Sequence, residues 1–139
     1  MKPPWVYRDA RINAPIHVQI WLAGKDAQPE YNGSVRFTGR IIRVFRDDTR
    51  TLWTGNRVAF FVPVTGSEGS GEPYLDGTIY HHWTWLARTR WFEVFLTQTF
   101  DGVALNECQI APVRGPTLRP VCDPNTEGFV CEGNLRRTE

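Results

Sequence analysis

Gly33-Ser34-Val35-Arg36-Phe37-Thr38-Gly39-Arg40-Ile41-Ile42-Arg43-Val44-Phe45-Arg46 carries an apolar alternation that changes phase partway along. Val35, Phe37, Gly39 and Ile41 fall on odd positions, whereas Ile42 and Val44 continue on even ones. Successive side chains of a strand point to opposite faces, so the slip demands a bulge or a sharp coil, and Gly39 is the residue that tolerates one. One long strand that hands its buried flank from one sheet to another predicts a small barrel.

The flanking segments extend this pattern. Gly55-Asn56 marks a reversal, after which Val58, Phe60, Val62 and Val64 alternate cleanly, with Pro63 pointing to an edge strand or a strand end. Upstream, Val18, Ile20 and Leu22 alternate with His17, Gln19 and Trp21, followed by a polar loop from Lys25 to Gly33. The long strand is expected to stop at Asp47-Asp48-Thr49, whose short polar side chains favour a turn. Downstream, Phe92, Val94 and Leu96 alternate with Trp91, Glu93 and Phe95, and Asp101-Gly102 supplies a turn before Val103 to Ile110. Glu93 and Glu107 are both expected on the solvent face of that hairpin rather than as a carboxylate pair. Between the two hairpins, Thr65 to Pro73 with Gly66, Gly69 and Gly71 reads as a mobile loop able to lid a site. Leu75 to Arg90 fits either period, and a short helix or irregular crossover is expected over Leu86 to Arg90. Pro112, Pro116, Pro120 and Pro124 recur every fourth residue, so residues 112–139 are expected to form an extended or disordered arm without a packed core. The expected fold is all-β: a five- or six-stranded barrel over residues 1–111, followed by that arm.

A chain of 139 residues is long enough to bury one core without staples. Its 41% hydrophobic content excludes general disorder, and no apolar run approaches the ~20 residues of a membrane span. Met1 to Trp5 lacks the apolar core of a secretory signal, which favours a soluble cytoplasmic protein over a trimmed secreted one. Net charge is +1, so no global field draws the chain to nucleic acid or to anionic membranes. Lys2 and Lys25 are the only lysines, and Arg36, Arg40, Arg43, Arg46, Arg50 and Arg57 crowd one stretch, the pattern of an ordinary solvated strand face. Three cysteines exclude a complete disulfide framework. Cys122 and Cys131 bracket a polar loop that a disulfide can close in an oxidising compartment, free thiols being the default. A three-thiolate zinc site lacks any close Cys-x-x-Cys pair.

The hairpin unit of residues 33–64, including Arg57-Val58-Ala59-Phe60-Phe61-Val62-Pro63-Val64, resembles the opening hairpin of the oligonucleotide/oligosaccharide-binding (OB) fold. It is also similar to the same hairpin of netrin-like modules, although the cysteine cluster that begins such modules is missing here. The resemblance covers about a quarter of the chain and implies a long, coiled first strand with a mid-strand glycine. It further implies that the outer face of the hairpin is the ligand platform.

On that face the residues to weigh are Arg36, Arg40 and Arg43 with Phe61, since guanidinium groups grip phosphates while flat rings stack on bases. Trp83, Trp85 and Trp91, beside Tyr80, His81 and His82, suggest instead a ring platform for a sugar or small molecule, unless they only fill the barrel. Adjacent His81 and His82 diverge on a strand and splay on a helix, which argues against shared metal ligation. No nucleophile elbow, zinc-protease signature, phosphate loop or dinucleotide fingerprint is present. The expectation is therefore a non-enzymatic binding or protein-interaction module without metal or cofactor. Its partners are an unknown protein, or a second copy through the arm or the edge strand, with single-stranded nucleic acid as the specific alternative.

Overall fold

A computed structural model describes residues 2–69 and 77–135; the part of the expected glycine loop containing Gly71 and Pro73 lies outside them. Among the described residues, two short helices and five strands follow in the order α1 (Pro4–Ile12), β1 (Ile16–Lys25), β2 (Gly33–Asp47), β3 (Arg57–Val64), α2 (Trp83–Leu86), β4 (Trp91–Thr99) and β5 (Gly102–Val113). The strands are antiparallel in the order β3-β2-β1-β4-β5, and β3 approaches β5 to leave a nearly closed barrel. Strand order and the position of α2 between β3 and β4 are compatible with an OB-like fold. Ile20, Phe37, Phe60, Phe92 and Val94 fill the interior, with the Phe37 ring 6.2 Å from Phe60 and 5.7 Å from Phe92. Each such side chain contributes roughly 1.5–3 kcal/mol by leaving water.

The phase shift is a bulge. Partners along the β1–β2 ladder jump from Gln19↔Arg43 to Ile20↔Ile41, so Ile42 is the extra residue. Phe45 is extra between His17↔Arg46 and Val18↔Val44, and Ala23 is extra on β1 between Leu22↔Gly39 and Gly24↔Thr38. Gly39, expected to host the slip, is itself no extra residue: it pairs with Leu22 and Val58 and borders the Ala23 bulge of the facing strand. Its role is space: a Cβ there would stand 2.9 Å from Ile20 Cδ1 and 3.0 Å from the Trp21 carbonyl oxygen. The hairpin taken as the opening one is formed by the second and third strands, because Ile16–Lys25 precedes it and pairs with both β2 and β4.

Helix α1 had no counterpart in the strand-by-strand reading. A proline in its first turn presets the helical φ, and Tyr7, Ala10 and Arg11 share its buried side. Arg46 closes its far end, donating from Nη1 to the Ile12 carbonyl and from Nη2 to the Arg11 carbonyl, both at 2.8 Å. Helix α2 is a single turn that ends where the helix over Leu86 to Arg90 was expected to begin. The expected β4–β5 hairpin forms, but its turn is Phe100-Asp101 rather than Asp101-Gly102, since Gly102 already pairs with Thr99. The glycine segment is tied down as far as Gly69: Gly66 N–H donates to Asn32 Oδ1, and the N–H groups of Ser67 and Glu68 donate to the Pro29 and Glu30 carbonyls.

Among the described residues, the chain after Val113 has no helix or strand, and β5 itself runs two residues past the expected boundary at 111. The expectation of an arm without packed core is corrected: Cys122, Val130 and Cys131 are buried, and Val130 joins the main core. Cys122 and Cys131 form a disulfide in which Cys108 takes no part.

Candidate functional site

Alternation along β2 and β3 fixes which side chains face outward. Val35, Phe37, Gly39 and Ile41 are buried, while Arg36 and Arg40 are exposed; on β3 the exposed residues are Arg57 and Phe61. Register then pairs them, Arg36 with Phe61 and Arg40 with Arg57. Phe61 leaves 61% of its surface in solvent. Arg43 is also exposed, beyond the Ile42 bulge and opposite Gln19 of β1. None of Arg36, Arg40, Arg43 and Arg57 is ion-paired among the described residues.

The row does not stop at the hairpin. Arg40 pairs with Trp21, and Trp21 with Trp91, so Arg57, Arg40, Trp21 and Trp91 run side by side across four strands. Both indoles are half-buried, and the Arg90 guanidinium lies 5.3 Å from the Trp21 ring centre. Sequence reasoning left Arg57, Trp21 and Arg90 out of the site. For Trp21 the signal was present, since it occupies the outward phase of an alternating strand; its neighbours on the sheet depend on a register that three bulges reset.

A groove of about 500 Å³ opens where β3 and β5 approach, lined by Arg36, Phe61, Thr99, Asp101 and Gly102 among others. Phe100, at the adjoining hairpin turn, is fully exposed. A ring is costly to leave in water, and here Phe61 lines the groove beside Arg36 while Phe100 stands exposed on the turn between Thr99 and Asp101.

The Trp-rich segment divides differently. Trp85 is 1% exposed and belongs to the core, with the His81 ring stacked 5.7 Å away. Trp83 is half-buried beneath the Lys25 ammonium, 4.5 Å from its ring centre. His81 is buried with Nε2 2.7 Å from the Cys108 carbonyl oxygen, while His82 precedes the first turn of α2. Among the described residues, no group of three or more His, Cys, Asp or Glu side chains is placed to hold a metal ion.

Glu93 also departs from its expected exposure. Expected in solvent, its side chain is completely buried, because the C-terminal arm lies over the outer surface of β1 and β4. Its carboxylate accepts from Gln19 Nε2 at 2.8 Å, Val121 N–H at 2.5 Å and Cys122 N–H at 2.9 Å, and His17 Nε2 lies 3.2 Å away. Glu107 is not its partner but pairs with Lys2 at 2.9 Å. A buried carboxylate this fully hydrogen-bonded is a fastener rather than an acid or base open to substrate.

Compared with protein-family models, curated proteins and solved structures, the chain finds no match.

Proposed function

We propose that this barrel is a non-enzymatic binding module whose outer β2–β3 face takes single-stranded nucleic acid. The observation that carries this is the row Arg57, Arg40, Trp21 and Trp91, continued by Arg36 beside the exposed Phe61. Guanidinium groups without an ion-pair partner among the described residues supply phosphate contacts, and the adjoining rings supply stacking that tolerates any base. Strands 2 and 3 and the turn between strands 4 and 5 are also where OB-like barrels place such ligands, here Arg36, Arg40, Phe61 and Phe100. The net charge of +1 means that affinity comes from this local row and not from the whole surface.

Titrating a fluorescent single-stranded oligonucleotide at low and moderate salt tests it. Saturable binding that weakens as salt rises is expected. Absence of binding even at low salt discards the proposal.

A second reading, peptide recruitment by strand addition, is favoured by one observation. Among the described residues β3 and β5 approach without forming a ladder, and although His81 bridges the end of β3 at Val64, the gap offers a strand edge along the groove. Sugar stacking on Trp83 and Trp85 has less support, since Trp85 is core and Trp83 is covered by Lys25. Dimerisation through the arm likewise loses ground, because Thr117, Val121 and Cys122 bond to the arm's own barrel.

The disulfide favours an oxidising compartment over the cytoplasm expected from the sequence. No helix among the described residues is long and apolar enough to cross a membrane.

A further inference from the structure

At the end of β1 a second cavity, about 390 Å³, is lined by Leu22, Gly24, Lys25, Ala87, Thr89 and Arg90. Two of these six residues are cations and none is a carboxylate. Neither Lys25 nor Arg90 is ion-paired among the described residues. Among the described residues, the groups set against these two charges are rings. The Lys25 ammonium stands 4.5 Å from the Trp83 ring centre and 5.9 Å from that of Phe37, and Arg90 lies over Trp21. Cation–π contacts hold each charge in position but do not neutralise it. Burial first, and then the nearby Arg90, keep Lys25 below the ordinary lysine value, as expected of two like charges facing one space. The other polar group, Thr89 Oγ1, donates to the Val113 carbonyl at 2.8 Å and accepts the Trp91 N–H at 3.1 Å, so it makes no demand on the cavity.

We propose that this cavity is a binding site for a phosphate group, with Lys25 as the point charge and Arg90 as the planar donor fork. An anion between them would relieve the repulsion and satisfy donors that rings cannot. The volume suits a small phosphorylated molecule as well as the free ion. The cavity lies at the end of β1, outside the β2–β3 hairpin; it borders the aromatic row through Arg90 over Trp21, but phosphate binding in it does not depend on nucleic-acid binding at the hairpin.

The test is NMR titration of the isotope-labelled protein with inorganic phosphate and, separately, glycerol 3-phosphate, ionic strength being held constant with sodium chloride. Saturable shifts of the Gly24, Lys25, Ala87 and Thr89 amides are expected, weakened about tenfold or more by Lys25→Met and by Arg90→Gln. Arg50→Gln, in the exposed turn after β2 at the opposite end of β1, should leave them unchanged. Tighter binding of the ester assigns the site to a phosphorylated small molecule, and tighter binding of inorganic phosphate to the free ion. Shifts that never saturate with either probe overturn the proposal, as does wild-type binding by both cavity variants. Arg90 is exposed, so Arg90→Gln remains informative should Lys25→Met fail to fold.

Discussion

The carboxylate of Glu93, in the middle of β4, accepts the backbone N–H of Cys122 at 2.9 Å, so one buried side chain fastens the C-terminal arm to the barrel. Glu93→Gln keeps the shape but replaces one acceptor oxygen by a donor that faces donors. A loss of about 2–4 kcal/mol is expected, with faster proteolysis between Arg114 and Val121. An unchanged melting temperature together with unchanged cleavage would show that the arm is held by other means.

Gly39→Ala should cost about 1–3 kcal/mol, since the added methyl meets Ile20 Cδ1 at 2.9 Å and the Trp21 carbonyl at 3.0 Å. Denaturant midpoints measure this. A variant as stable as the parent would mean that β1 and β2 can separate locally at no cost.

Nucleic-acid binding on the hairpin face has a residue-resolved signature. Arg40→Gln and Arg57→Gln should each lower the slope of log affinity against log salt by about 0.7, one phosphate contact apiece. Phe61→Ala should weaken binding by about 1–3 kcal/mol while leaving that slope alone. Loss of affinity without any change of slope in the arginine variants would remove them from the phosphate path.

Opening the Cys122–Cys131 loop, with its sequence separation of 9, should cost about 2–3 kcal/mol. In unfolded but unreduced protein, alkylation should reach Cys108 alone, and all three cysteines after reduction. Mass spectrometry reads both states. Labelling of all three before reduction would contradict the disulfide.

Asp47 predicts an acid response. Partial burial opposes its ionisation, but the Thr49 hydroxyl and the N–H groups of Leu52, Thr49 and Thr51 outweigh that and hold the carboxyl below its ordinary value. The unfolded chain then takes up the proton first. The stabilisation is complete above an unfolded value of about 4 and is lost as pH falls through the lower folded one. Asp47→Asn should therefore lower stability at pH 7 by about 1–2 kcal/mol and flatten its decline below pH 4. Parallel pH–stability curves for the two proteins would exclude this role.

The barrel was legible because β2 and β3 alternate with period two, and because the slip at Ile41-Ile42 marks a real bulge. The residue credited with it, Gly39, was wrong: glycine reports either a bent backbone or a close neighbour, and only the register tells which. Arg36, Arg40, Arg43 and Phe61 were placed outward correctly by the same alternation. Trp85 was not, since a one-turn helix has too few residues for its period to declare a buried side. Glu93 misled for a different reason. Alternation puts it on the outer surface, where it stands, but says nothing of a distant segment that later covers that surface. Prolines in the arm exclude helix and central strand without excluding tight packing, as Cys122 and Val130 show.

The three extra residues in the β1–β2 ladder, Ala23, Ile42 and Phe45, act as keys cut at unequal depths. Sliding one ribbon along the other by two positions would preserve inward and outward faces in a plain ladder, yet here it would misalign every key at once. Pulling on this pair should therefore peel it from an end instead of shearing it. Single-residue insertions should be tolerated in the 26–32 and 48–56 connections and rejected between His17 and Leu22.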